Sequence, residues 1–177
     1  MKKIVIIGSG GHGKVVYDAI KQSNEYEVVG FVDAKVPVGT IIMDQQEVRL
    51  MQSDLHLIST IADYFIVAVG NNGIRCELFE KALNYAQPAT IIHPSAIIGQ
   101  DVIVEEGSVV LANAVIATES KIGKNTIINA GVIVDHESIV GSHVHLSIGT
   151  LVGSNSSIAD GLVTSIGHII PTFSTVE

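Results

Sequence analysis

Ile127-Ile-Asn-Ala-Gly-Val-Ile133-Val-Asp-His-Glu-Ser-Ile139-Val-Gly-Ser-His-Val-His145-Leu146 decides the fold of this chain. Its second, eighth, fourteenth and twentieth residues are Ile128, Val134, Val140 and Leu146, so an aliphatic side chain returns every six positions. The same frame runs back through Ile122, Ile116, Val110, Val104 and Ile98 to Ile92, and forward to Val152 and Ile158. Twelve slots are filled without a miss although Ile, Leu and Val occupy only 27 of the 72 positions from Ile92 to Val163. Chance alignment in any one of the frames has a probability of roughly 10⁻⁴ or less. A period of six is neither helical nor that of a plain alternating strand. It is the mark of a parallel β-solenoid built from hexapeptides, each supplying a short strand and a turn.

Three hexapeptides close one triangular coil, so residues 92–163 predict four coils of 18 residues with the aliphatic slots stacked as an interior column. Gly99, Gly107, Gly123, Gly131, Gly141 and Gly153, with Asn113, Asn125 and Asn155, fall at or near the turns. Thr164 takes an interior slot and Thr172-Phe-Ser-Thr175 departs from the motif, so the column is expected to fail after Ile158. The pattern itself does not fix the hand of the coil. Outer faces left by such a stack favour assembly around an axis, commonly as a trimer.

Residues 1–90 read differently, as a half-Rossmann βαβαβ unit. Lys3–Ile7 is an apolar strand, and a helix from about His12 to Gln22 sets Val15, Val16, Ala19 and Ile20 on one face. Val28–Val32 and Tyr64–Val69 are further strands, with a small strand at 38–42 and a helical turn at 54–60 between them. Asn71 or Asn72 caps a second helix reaching about Tyr85. The domain division is therefore 1–90 and 91–177.

Apolar residues make up 47% of the chain and aromatic ones 5%, which suits narrow aliphatic stacks. No apolar run approaches the roughly 20 residues of a bilayer span, and Lys2-Lys3 leads directly into a strand, so a cytoplasmic protein is expected. One cysteine, Cys76, excludes an internal disulfide; as a helix residue it reads as a packed, inert thiol. A net charge of −8 argues against nucleic acid as the ligand. No spaced Cys/His/Asp set predicts a metal site.

Gly8-Ser-Gly-Gly-His-Gly13 joins strand to helix as G-x-G-x-x-G, with Asp33 ending the next strand. Glycines let the backbone approach a phosphate, and a helix N-terminus offers N–H groups and a positive dipole end. Half a dinucleotide fold suits a nucleoside diphosphate better than NAD, and a structural turn is the plain alternative. Among the histidines, His136 stands out between Asp135 and Glu137, because a neighbouring carboxylate fixes the tautomer a general base needs. His145 breaks a column otherwise aliphatic at Val109, Ile127 and Ile133, and is expected to point inward; Lys121 and Ser157 break the same column.

Five motifs in order carry a resemblance over residues 3–171. They are Gly8-Ser-Gly-Gly-His-Gly-Lys-Val15, Gly30-Phe-Val-Asp33, Val69-Gly-Asn-Asn-Gly-Ile-Arg75, Ile92-His-Pro-Ser-Ala96, and Val134-Asp-His-Glu137 with His145-Leu-Ser-Ile-Gly149. The chain resembles the bacterial sugar O- and N-acyltransferases of the sialic-acid O-acetyltransferase type, related to the UDP-4-amino-sugar N-acetyltransferases. That resemblance implies a left-handed parallel β-helix forming a homotrimer, with active sites between subunits and acetyl-CoA as co-substrate. It implies that Gly8, Gly10, Gly11, His12, Gly13, Asp33, Asn71, Asn72 and Arg75 contact or frame a UDP-linked sugar, with Asn129 facing the sugar. His136 would be the general base, oriented by Glu137. His145 would lie near the thioester carbonyl, and a backbone N–H around Gly153-Ser154 would stabilise the oxyanion.

The implied reaction is N-acetylation of a nucleotide-activated amino sugar in surface-glycan synthesis, by direct attack on the thioester. Two departures keep alternatives open. The second acidic residue of the family's pattern is Ala34 here, and family members continue beyond the position of Glu177 with a further coil and a tail that helps hold CoA. A sialic acid O-acetyltransferase and a catalytically impaired trimeric scaffold that still binds nucleotide sugar are the alternatives. A Rossmann oxidoreductase is disfavoured by the missing second half-fold.

Overall fold

The computed structural model describes Met1–Glu177 as two compact units, Met1–Ala89 and Thr90–Glu177. No helix is long and apolar enough to cross a membrane.

The first unit runs β1 (Lys2–Ile7), α1 (Gly11–Ser23), β2 (Tyr26–Asp33), β3 (Ile41–Met43), β4 (Gln46–Met51), a 3₁₀ segment (Gln52–Thr60), β5 (Tyr64–Val67), α2 (Asn72–Ala82) and β6 (Gln87–Pro88). One sheet orders them β3-β4-β2-β1-β5-β6, parallel throughout except for β3 against β4. Ile4, Val5, Ile6 and Ile7 are all buried, as a central parallel strand covered on both faces requires. On α1 the buried face is Val16, Tyr17, Ala19 and Ile20; Val15, placed on that face by the sequence, is exposed instead. The sheet is larger than three strands because Ile41–Met43 turns back on Gln46–Met51. Asp44 and Gln45 link them, both at positive φ (45° and 67°), the backbone of a type I′ hairpin written without its usual glycine.

In the second unit every strand is two residues long and pairs in parallel with the strand 18 residues on, giving sheets of four, five and five strands. The second residue of each strand points inward: Val110, Ile116, Ile122, Ile128, Val134, Val140, Leu146, Val152 and Ile158 form one buried cluster. The first residue points away from that cluster: Ile97, Ile133, Leu151 and Ile169 stand exposed along one face, whereas Ile91, Val109 and Ile127 are buried on another. This corrects the orientation of His145. Leu146 is its inward neighbour, so His145 stands in the column of Ile91, Val109 and Ile127, which is buried but lies outside the interior cluster.

The column also does not end at Ile158. Thr164, Ile170 and Val176 continue the frame, and Ile169–Ile170 and Thr175–Val176 pair with Leu151–Val152 and Ser157–Ile158. The buried Thr164 is accommodated because its Oγ1 lies 2.8 Å from the Thr150 hydroxyl and accepts the Ser147 N–H at 2.8 Å. A polar residue in the slot thus hides the repeat in the sequence without breaking it.

The turns repeat as strictly as the core. From Asp101 to Phe173 every sixth residue has positive φ, among them Gly107, Asn113, Asn125, Gly131, Glu137 and Asn155. Gly99, Gly123, Gly141 and Gly153 serve another purpose. A Cβ there would come within 2.4–2.6 Å of the following coil, so glycine sets how closely coils stack.

A ladder of buried hydroxyls ties one corner together. Ser120, Ser138 and Ser156 each accept the N–H of the residue 18 positions on, at 3.2–3.3 Å, and each donates to a carbonyl 15 positions on. Ser108 and Thr126 do the same at a second corner. Ser138→Ala strands the buried Ser156 N–H and removes the donor to the Gly153 carbonyl. Each such loss costs about 1–3 kcal/mol, so Ser138→Ala is expected to lower the solenoid's melting temperature by about 4 °C or more. The exposed Ser157→Ala is expected to stay within about 0.5 kcal/mol of wild type; equal melts by circular dichroism would refute the ladder's role.

Candidate functional site

At the carboxyl end of β1 the chain steps to β2 on one side and β5 on the other, the switch point where open α/β sheets bind ligands. The glycine-rich loop lies there. Gly8 has φ +108°, its N–H donates to the Val32 carbonyl at 2.8 Å, and a Cβ on it would lie 2.8 Å from the Ala68 oxygen. Gly13 lies against Gly8, where a Cβ would stand 2.1 Å from the Gly8 oxygen, so it seats α1 on the loop. Gly10 and Gly11 face open space. No side chain caps α1 at Gly10, and His12, half-buried, stands in the first turn beside it. The four glycines therefore divide into two that fit the chain to itself and two that border open space.

Asp33 closes the loop from below. One carboxylate oxygen accepts the Ser9 N–H at 3.0 Å and the Ser9 hydroxyl at 2.6 Å; the other accepts the N–H groups of Lys35 (2.8 Å) and Val36 (3.1 Å). Partial burial alone would raise its pKa. The Ser9 hydroxyl and the three N–H groups more than reverse that and hold it at about 2. Ser9, not singled out in the sequence, is thus the partner that makes Asp33 a clamp on the loop.

Asn71 caps α2 by accepting the Ile74 N–H at 3.0 Å, and Asn72 begins the helix. Arg75 is buried beneath this turn, its guanidinium donating to the carbonyls of Val69 (3.2 Å) and Gly70 (3.3 Å). Burial pushes its pKa down to about 10, so it remains a cation at neutral pH. It frames the turn from inside. Between these two turns opens a cleft of about 390 Å³ lined by Asp33, Ala34, Gln52, Val69, Ile74 and Leu78, mostly apolar. A cavity of about 470 Å³ around Lys3, Glu27 and Arg49 is larger, but it lies at the opposite, amino ends of β1 and β2.

The histidines stand on the solenoid. His136 Nδ1 lies 2.9 Å from Glu137 Oε2, with both side chains about half-exposed. A carboxylate only accepts, so Nδ1 carries the proton and Nε2 is left as the basic nitrogen. The coil below supports the pair: Asn155 donates its N–H to the His136 carbonyl at 3.0 Å and its amide to Glu137 Oε2 at 3.5 Å. The Asp135 carboxylate accepts the His136 N–H at 2.8 Å instead of touching the ring. One coil on, glycine replaces that aspartate. Gly153 spends its own N–H on the Ile170 carbonyl at 2.8 Å, which leaves Ser154's N–H as the donor this turn can offer. His145 Nε2 lies 3.2 Å from the Asn129 amide nitrogen. Cys76 stands on α2, in the other unit. His, Cys, Asp and Glu side chains nowhere gather in a group of three able to hold a metal ion.

Comparison with known proteins agrees in both units. The PglD N-terminal domain family matches residues 3–82. UDP-N-acetylbacillosamine N-acetyltransferase of Bacillus subtilis is 32% identical over 115 residues, covering 63% of this chain and 52% of that protein. The chain therefore spans about half the length of the curated relative it matches. The acetyltransferase domain of PglB from Neisseria gonorrhoeae is 30% identical, with 99% of this chain and 88% of that one covered at a TM-score of 0.74. A histidine-to-asparagine variant of perosamine N-acetyltransferase from Caulobacter crescentus, in complex with CoA and GDP-perosamine, is 28% identical over 100% of this chain and 89% of that one, with a TM-score of 0.77.

The Asp33 clamp has a defined pH signature. Because its folded pKa lies below the ordinary carboxylate value, its contribution to stability is complete above pH ~4 and is lost as the pH falls through about 2. Urea denaturation of the full chain should find Asp33→Asn less stable than wild type at pH 6. The gap should narrow between pH ~4 and ~2 and vanish below. A gap independent of pH would show that the ionised carboxylate is not what holds the loop.

Proposed function

The chain belongs to the left-handed β-helix, hexapeptide-repeat family of sugar acyltransferases, and from that premise we propose that it transfers the acetyl group of acetyl-CoA to the amine of a UDP-linked amino sugar in surface-glycan synthesis. The observation that carries this reading is the His136–Glu137 pair, 2.9 Å apart at a half-exposed corner of the solenoid, which presents Nε2 as a base.

The domain roles follow the same division. Residues 1–90 bind the nucleotide sugar, with the diphosphate over Gly10, Gly11 and the start of α1 and the nucleoside in the cleft between Asp33 and Ile74. Asp33, Asn71 and Arg75 hold the walls of that site, since their polar atoms are already engaged with the chain's own backbone. Residues 91–177 carry the chemistry. The neutral amine nitrogen bonds to the thioester carbon, and the carbonyl becomes an oxyanion met by the Ser154 N–H. His136 Nε2 takes the proton from the new ammonium centre, and the carbon–sulfur bond breaks to release CoA thiolate, which regains a proton from the imidazolium. Glu137 keeps the proton on Nδ1 and stabilises the imidazolium between the two transfers.

The outward column of Ile97, Ile133, Leu151 and Ile169 supports assembly as a homotrimer with active sites between subunits, because an apolar stripe of that length is costly to leave in water. Acetyl-CoA binds beside His145, Gly153 and Ser154, and the protein works in the cytoplasm, where its co-substrate is made.

His136→Ala is expected to lower kcat by about 10² to 10⁴ in an assay of thiol release. Calorimetric binding of the UDP-sugar should be unchanged. Near-normal kcat in that variant would refute the assignment. Wild-type protein that binds UDP-sugar but not millimolar acetyl-CoA would favour a scaffold instead.

A further inference from the structure

Glu137 stands at a solenoid corner whose backbone is left-handed, with φ +57°. The same corner recurs one coil apart at Glu119 (φ +60°), Asn155 (φ +54°) and Phe173 (φ +56°). Each residue of this stack donates its N–H to the coil before it, Glu137 to the Thr118 carbonyl and Asn155 to the His136 carbonyl, both at 3.0 Å. Glycine or asparagine takes such a backbone at less cost than glutamate does. What the glutamate adds is its carboxylate, and one oxygen of it has two partners. Oε2 lies 2.9 Å from His136 Nδ1 and accepts the Asn155 amide at 3.5 Å. A carboxylate only accepts, so the NH₂ end of that amide is the end that faces it. Of the two residues stacked directly on Glu137, Glu119 carries a carboxylate and cannot donate. Asn155 can.

We infer that Asn155 is a positioning residue for acetyl transfer: it holds the Glu137 carboxylate against His136 Nδ1 and acts on the reaction only through that carboxylate. Glu137 is half-exposed and has three rotatable side-chain bonds, so the ring alone would leave it free to swing into water. A second donor on the oxygen that faces Nδ1 opposes that swing. Asn155 also grips the other member of the pair, because its backbone N–H is spent on the His136 carbonyl. One residue thus holds the base by its main chain and the base's partner by its side chain. The catalytic part of the inference rests on the reading of His136 as the general base.

An asparagine at positive φ also has a plain use, since it tolerates the left-handed region better than most residues. Asn113, at φ +58°, is of that kind: it is exposed, and its hydrogen bond is made by its backbone N–H to Ser95 Oγ at 3.1 Å. Glycine takes the same backbone freely, so Asn→Gly at either corner removes the side chain and keeps the turn.

The test uses the full-length chain. Asn155→Gly is expected to lower kcat by about 10 to 10², with KM for acetyl-CoA and affinity for UDP-sugar within about twofold of wild type. Asn113→Gly should keep wild-type kcat. Residues that act through one another are not additive, so in a Glu137→Gly background the further change Asn155→Gly should leave kcat where Glu137→Gly alone puts it. Long-range ¹H–¹⁵N spectra of ¹⁵N-histidine-labelled protein, with His136 assigned from His136→Ala, should show neutral His136 protonated on Nδ1 in wild type and as a mixture of tautomers in Asn155→Gly. Wild-type kcat in Asn155→Gly overturns the inference. So does the same loss with and without the Glu137 carboxylate, or an equal loss in Asn113→Gly, since either would make Asn155 a turn residue only. If wild-type protein transfers no acetyl group, the transferase reading fails, and the spectra still decide the positioning: an unchanged His136 tautomer in Asn155→Gly would overturn it.

Discussion

The hydrogen-bonded register of 18 residues between successive coils is the constraint on which the chemistry of this protein depends. Each two-residue strand pairs with the strand one coil on, without a shift, from Ile91 to Val176. Residues 18 apart in sequence are therefore stacked neighbours, whatever their types. That is why Asn155 lies under Glu137, why Gly153 replaces Asp135 at the same corner, and why Asn129 reaches the ring of His145. A one-residue slip would exchange the inward Leu146 for His145 and bury an imidazole in an aliphatic column. The buried hydroxyl ladders oppose such a slip, because each serine or threonine satisfies an N–H of the coil ahead only in one register.

On that frame the same side-chain type is given different chemistry by its partner. His136 and His145 lie nine positions apart and look alike as isolated letters. A carboxylate beside one ring calls for a proton on the facing nitrogen, and an amide NH₂ beside the other calls for a lone pair. Neither effect needs deep burial. Both follow from the fact that carboxylates accept and amide NH₂ groups donate. The N-terminal unit works by a similar economy. Asp33, Asn71 and Arg75 are polar residues at the carboxyl edge of the sheet, yet each hydrogen-bonds the chain's own backbone, and Asp33 holds the Ser9 hydroxyl as well. They fix two turns, and the loop they hold leaves Gly10 and Gly11 bordering open space.

The elements legible in the sequence were those set by a strong local period or a local cap. Parallel strands Lys2–Ile7 and Tyr26–Asp33, helix Gly11–Ser23 and the Asn71 cap all lie close to where the pattern puts them. The hairpin through Asp44 and Gln45 was hidden because the residues that adopt its left-handed backbone are not the glycine or asparagine that usually signals one. The last coil was hidden for a different reason. Thr164 is polar as a letter, but Thr150 and Ser147 satisfy its hydroxyl, so it fills an interior slot as well as an aliphatic residue would. The pairing of Glu137 with His136 could be read from adjacency, whereas Ser9 with Asp33 could not, since 24 residues separate them.

The sequence by itself determined the architecture, because a sixfold aliphatic column can be buried only by stacking coils and an apolar strand, a glycine loop and an amphipathic helix in that order make a parallel α/β unit. It also determined which residues could act, through their chemistry and their places in the repeat. Only the tertiary structure decided the direction of His145, the partner of each histidine and the commitment of Asp33 to Ser9. Those depend on which atoms the coil register and the sheet order bring within about 3 Å of one another, and a hydrogen bond at that range depends on placement and direction that a list of residues does not carry.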